Sequence, residues 1–169
     1  MIETGILRGK AAIKLGDVVG SDEMLPAEYM WQTDAKVLAR ACLTNHDPQF
    51  PQRVRPGDFV IAGRGFGFGH IHMNGLNGFM ELGVSAVIAE SFSPGWYRRA
   101  IANGFLVITC QDVTKLVEQG DQLELNLNTG DIRNLDTGMK ISSHVLHPLL
   151  REIIDAGGLA AYTRNRFAK

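Results

Sequence analysis

Apolar and polar positions follow two rhythms along this chain. Unbroken apolar runs at Phe59–Ala62, Val84–Ala89 and Phe105–Thr109 predict buried strands, and residues 6–14, ILRGKAAIK, read as an earlier one. Between them the pattern is helical. Asp34 is placed to cap a helix over Ala35–Cys42 whose Val37, Leu38 and Ala41 share a face. Residues 46–51 read as a loop. A second helix is predicted over Pro94–Ala102, closed by Asn103-Gly104 as a left-handed cap, and a short one over Asp112–Gln119 ending at Gly120. From Leu123 the rhythm changes. Leu123, Leu125 and Leu127 alternate with polar residues, residues 128–131 turn, Ile132–Leu135 runs back, and Thr137-Gly138 turns into Met139–Ser142, a β-meander with one polar face. Pro148 opens a last helix striped by Leu149, Leu150, Ile153 and Ile154 and stopped at Gly157-Gly158; the basic tail from 163 is expected to fray. The sum is an α/β fold, a mixed sheet with flanking helices and a C-terminal β-meander, in one domain spanning 1–169 with its core at about 9–162.

One stretch organises the rest. From Asp58 to Phe92 the chain reads strand, glycine loop, helix, strand. Gly63, Gly65, Gly67 and Gly69 alternate with Arg64, Phe66 and Phe68, a spacing that lets the backbone take positive φ and lets another group approach closely. The loop delivers His70, Ile71 and His72 to the predicted start of a helix that closes at Gly83. Free N–H groups at a helix start suit a carboxylate or phosphate. The pattern marks this stretch as a candidate site.

Composition narrows the function classes. With 169 residues, a formal net charge of −1 and no run of like charges, the chain carries no footprint for nucleic acid or an anionic membrane. No apolar stretch approaches the roughly 20 residues that span a bilayer, and MIETGILRGK has no leader core, so a cytoplasmic protein is expected. Two cysteines, Cys42 and Cys110, form no CxxC pair and read as small buried hydrophobes. An iron–sulfur cluster needs about three or four thiolates, more than this chain has.

Three readings of the central stretch compete. A dinucleotide fingerprint fails on spacing: counting from Gly67, His72 stands where GxGxxG needs its third glycine, and the chain ends in a meander rather than further strand–helix units. A metal held by His70 and His72 lacks the third or fourth ligand that spacing would supply, with only distant His46 to complete it. A plain structural reading makes one histidine a helix cap and the other a solvated loop residue. Asp17 and Asp22 read most simply as turn and cap residues.

The segments taken together resemble the small subunit of isopropylmalate dehydratase, the swivelling β/β/α domain of the aconitase superfamily. The resemblance covers about Gly9 to Tyr162. It rests on Gly16-Asp17, Ser21-Asp22, Pro26-Ala27-Glu28-Tyr29, Asp47-Pro48-Gln49-Phe50, residues 54–63, Phe66-Gly67-x-Gly69, residues 83–92, Thr129-Gly130, Asn134-Leu135, Thr137-Gly138 and Ala156-Gly157-Gly158-Leu159. The family implies a two-part hydro-lyase that dehydrates and rehydrates a small hydroxy acid. A separate large subunit carries a [4Fe–4S] cluster, and none is expected on this chain; the small subunit supplies a loop with a serine base and an arginine for a carboxylate.

This chain departs from the family at that loop. Phe-Gly-Cys-Gly-Ser-Ser-Arg-Glu becomes Phe66-Gly67-Phe68-Gly69-His70-Ile71-His72-Met73, and residues 74–78 are poor helix formers. Two readings follow. In one, His70 replaces the serine as general base, since an unperturbed imidazole titrates near about pH 6.5, and His72 binds substrate or shuttles protons. Gly67, Gly69 and Ile71 then hold a carboxylate by N–H groups, Ser21 and Asp22 line the cleft, and the substrate is expected to differ from plain isopropylmalate. In the other, the chain is a non-catalytic lid or ligand-binding subunit.

Overall fold

The computed structural model describes residues 5–70 and 72–168. The chain runs β1 (Ile6–Lys14), α1 (Ala35–Ala41), α2 (Phe50–Arg53), β2 (Phe59–Ala62), α3 (Asn74–Glu81), β3 (Ala86–Ala89) and α4 (Pro94–Ala102). It continues through β4 (Leu106–Thr109), α5 (Val113–Leu116), β5 (Gln122–Asn126), β6 (Asp131–Asn134), β7 (Lys140–Ser142), α6 (Pro148–Asp155) and α7 (Leu159–Phe167). The strands form one seven-stranded sheet in the order β4-β3-β2-β1-β5-β6-β7. β1 is its axis. Residues Ile6 to Lys10 pair antiparallel with β5; from Ala11 to Lys14 the strand pairs parallel with β2, with a register shift between Ala11 and Ile13. β2, β3 and β4 are parallel and bury every residue but Thr109, as runs covered on both faces should. β5, β6 and β7 form the meander, with Leu123, Leu125 and Ile132 turned into the core.

Three elements outside the glycine-loop unit differ from the sequence reading. Residues 50–53 form α2 where a loop is expected, because Pro51 sits in the helix's first turn, where its fixed φ is already helical. α5 stops at Leu116, since Val117 turns extended (φ −115°) and buries its side chain completely. The tail expected to fray is helical through Phe167. Tyr162 holds it there, donating to Glu152 Oε2 at 3.3 Å and sitting beneath Arg166 of the next turn.

α3 forms although two of its first five residues are glycine, each costing about 1 kcal/mol against alanine in a helix. The compensation is close packing. A Cβ on Gly75 would lie 2.6 Å from Met24 Cβ, and one on Gly78 would lie 3.1 Å from Cys42 Sγ and 3.2 Å from the Leu38 carbonyl. Leu76 and Phe79 are fully buried, Phe79 stacked on Phe105 at 6.2 Å. The helix that follows the glycine loop is thus seated against α1.

Candidate functional site

Because β1 to β4 run parallel, the segments leaving them emerge at one edge of the sheet. Ligands of open α/β sheets bind outside that carboxyl edge. The loop from Gly63 to Met73 lies there.

Its first half is a stem locked to the neighbouring connections. Gly65, Gly67 and Gly69 all have positive φ, as the spacing predicts. The Gly65 N–H donates to Ser91 Oγ at 2.9 Å, the Phe66 N–H to the Ser91 carbonyl at 3.0 Å, and the Ser93 N–H to the Phe66 carbonyl at 2.8 Å. Phe66 is buried edge-on to Trp96 (5.0 Å) and Phe92 (6.0 Å). The Gly67 N–H is taken by the Val19 carbonyl at 2.9 Å, and a Cβ there would collide with the Trp96 indole, so this glycine is buried and engaged. The Trp96 Nε1–H beneath it is buried without an acceptor among the described residues.

The second half is an exposed tip. Phe68 is 61% exposed, and Gly69 and His70 face solvent; His72 is half-buried. Ser21 holds the tip from behind. Its N–H donates to the Phe68 carbonyl at 2.9 Å, its hydroxyl donates to the His70 carbonyl, and its oxygen accepts from the His72 N–H at 3.4 Å. At 1% exposure, Ser21 is buried under the loop. Asp22 is exposed, its Oδ1 3.8 Å from the point where a Gly69 Cβ would stand. Ile71 lies outside the described residues. Neither imidazole has a hydrogen-bonding or charged partner among the described residues. α3 begins at Asn74, after both histidines, and its N-cap Met73 makes no side-chain cap, so neither ring caps the helix. Asn74 sets that start by donating to the Met30 (2.7 Å) and Gln32 (3.1 Å) carbonyls.

One ion pair that anchors the stem escapes sequence reasoning. Asp17 reads as turn chemistry, yet its Oδ1 accepts the Arg64 N–H at 2.8 Å and its Oδ2 pairs with the guanidinium at 2.9 Å. The Arg64 backbone N–H, then its side chain, hold the Asp17 carboxyl below the usual carboxylate range. The contact spans 47 positions, and no local signal announces it.

The other candidate ligands lie elsewhere. His46 approaches Glu23 at 3.8 Å, and His147 caps α6 by accepting the Leu149 N–H at Nδ1, 3.2 Å. Among the described residues no group of three His, Cys, Asp or Glu could hold a metal. Cys42 and Cys110 are fully buried; burial pushes the Cys42 thiol far up and the Cys110 thiol up to about 11, so the two do not fit a cluster's demand for several accessible thiolates. No helix among the described residues is long and apolar enough to cross a membrane.

No protein-family model matches the chain. Individual relatives do. The isopropylmalate/citramalate isomerase small subunit of Methanocaldococcus jannaschii is 40% identical over 164 residues, 97% of each chain. The chain belongs to the isopropylmalate dehydratase small-subunit family. The 3-isopropylmalate dehydratase small subunit of Halothermothrix orenii is 39% identical over 153 residues, 90% of this chain and 92% of its own. A crystal structure of 3-isopropylmalate dehydratase from Methanocaldococcus jannaschii superposes with a TM-score of 0.89 at 34% identity over 95% of both chains. The α/β swivel fold of the small-subunit family is therefore present here. Relatives in that family carry isopropylmalate and citramalate in their names, so the expectation of a substrate other than plain isopropylmalate finds no support among them.

Proposed function

We propose that this chain is the small subunit of an aconitase-type hydro-lyase, acting on a small hydroxy acid of the isopropylmalate or citramalate kind beside a large subunit that carries the [4Fe–4S] cluster. One observation carries the assignment of parts. The glycine loop is anchored from behind by Ser91, Val19 and Ser21 while His70 stands exposed at its tip, at the sheet edge where ligands bind.

Dehydration removes a proton from one carbon and hydroxide from its neighbour. His70 takes that proton as general base and returns it in the reverse direction. The N–H groups of Gly69 and His70, which no described residue accepts, meet a substrate carboxylate, with His72 beside them as a further donor. Asp22 stands next to Gly69 and orients the substrate hydroxyl. Ser21 works through the loop as a positioning residue.

The test is His70→Ala in the complex reconstituted with the large subunit, assayed on isopropylmalate and citramalate. Loss of a general base is expected to lower kcat by about 10²- to 10⁴-fold while the two subunits still co-purify. Unchanged turnover on both substrates would remove His70 from the chemistry and leave the chain a lid.

A further inference from the structure

One cavity lies well away from the glycine loop. It is a cleft of about 630 Å³ towards the opposite edge of the sheet, where β1 parts from β2 to join β5. Its lining includes Lys10, Ala11, Ala12, Arg55, Asp58 and Gln122. Clefts of about 300–1,000 Å³ are the size that holds small molecules.

The charges around it do not cancel. Asp58 is nearly buried, and its two oxygens are taken by the backbone N–H groups of Lys10 (2.9 Å) and Arg55 (2.8 Å). Arg53 is neutralised by Asp47 and donates to the Ala12 carbonyl at 2.9 Å, the acceptor freed where the ladder shifts register. Arg55 donates to the Gln52 (2.6 Å) and Val54 (3.0 Å) carbonyls through Nη1, and its Nη2 and Nε have no acceptor among the described residues. The Lys10 ammonium has no partner among the described residues. Apolar Ala11 and Ala12 therefore line the cleft together with an arginine tied to two carbonyls, a lysine without a partner among the described residues, and Gln122. Fixed cations with free donors recognise carboxylate and phosphate.

We propose that this cleft binds a small organic anion, a carboxylate or phosphate ester with a short apolar body, at a site separate from the glycine loop. The test is an amide-resolved NMR titration of the full chain with sodium phosphate and, separately, sodium butyrate at constant ionic strength. Saturable shifts are expected at Gly9, Lys10, Gly120 and Gln122 with at least one probe, and which probe binds tighter separates phosphate from carboxylate chemistry. Lys10→Gln and Arg55→Gln should each weaken binding by about tenfold. Lys10→Gln touches no hydrogen bond of the fold and stays informative if Arg55→Gln unfolds. His70→Ala should bind as the wild type does, so this result stands apart from the function proposed for the loop. Shifts that stay linear and scatter over the surface, unchanged affinity in both variants, or loss of binding in His70→Ala would each overturn the proposal.

Discussion

Ser21→Ala separates holding the loop from merely being folded. The hydroxyl sits at 1% exposure between the His70 carbonyl and the His72 N–H. Its removal deletes one short hydrogen bond and one long one, at 3.4 Å. Because the His70 end of the loop is exposed, both orphaned backbone groups can turn to water, so the cost lies near the low end of the usual range, about 1 kcal/mol. For a chain of this length that is about 2–4 °C in Tm. Turnover should suffer far more. A base displaced by about 1 Å loses on the order of 10²-fold in rate, and with Ser21 truncated, among the described residues only its backbone bond to Phe68 still ties this tip to the 15–21 segment. The assay is kcat/KM of the reconstituted complex beside thermal unfolding of the chain. Ile132→Val is the control: Ile132 is fully buried in the meander, and the change costs a similar 0.5–1.5 kcal/mol, roughly, without touching the loop. The expected result is equal loss of Tm, with activity lost in Ser21→Ala alone. Turnover within about twofold of wild type in Ser21→Ala would refute the reasoning, because loop placement would then be irrelevant to rate.

The two helix glycines should respond differently to alanine. Gly75→Ala gains about 1 kcal/mol of propensity but drives a Cβ to 2.6 Å from that of fully buried Met24, an overpacking cost of about 1–3 kcal/mol; urea unfolding should show a net loss, and wild-type stability would contradict the packing account. Gly78→Ala, at 3.1–3.2 Å from Cys42 and Leu38, should fall within about 0.5 kcal/mol of wild type. The Asp17 carboxyl has a lowered pKa in the folded chain. Its contribution is therefore complete above the unfolded carboxylate pKa of about 3.9 and is lost as pH falls through the depressed folded value. Asp17→Asn should flatten that acid limb of the stability curve, and the two unfolding curves should converge at the lowest pH; parallel curves would show that the clamp adds nothing.

What the sequence makes legible is what depends on local rhythm. The nine residues of β1, the run Phe59–Ala62, the Asp34 cap and the meander all follow from periodicity and turn chemistry that act within a few positions. The positive φ of Gly65, Gly67 and Gly69 is legible for the same reason. What escapes is decided across the chain. That Gly67 is shut against Trp96 depends on a side chain 29 positions on, and the burial of Ser21 depends on a loop 49 positions away. Asp22 and Ser21 are neighbours with the same polar, turn-forming signature; only the packed fold buries Ser21 beneath the loop and leaves Asp22 exposed. The late start of α3 has a similar origin, because Asn74 turns its amide to the carbonyls of Met30 and Gln32, and no pattern in residues 70–81 announces that contact.

The loop's two halves obey opposite rules, and that contrast bears on function. Its stem is overdetermined: every N–H from Arg64 to Gly67 has an acceptor, and Val18, a β-branched residue held at φ +57°, donates to the Arg64 carbonyl at 2.6 Å. Such a backbone costs about 1–3 kcal/mol and persists only where its surroundings impose it. The tip's backbone is tied through Ser21, but its imidazole rings are held by none of the described residues. Among the described residues His70 has neither an acceptor to orient its ring nor apolar cover to exclude water, and a general base in a hydro-lyase uses both. A fold that fixes the stem so firmly and leaves the His70 ring bare has placed the imidazole without completing its environment. On the function proposed here, the orienting partner and the dry surroundings come from the large subunit and the substrate as they close over Phe68 and His70. His70 should then be protected from chemical modification in the loaded complex and reactive in the free chain, and equal reactivity in both would place the catalytic cleft elsewhere on the molecule.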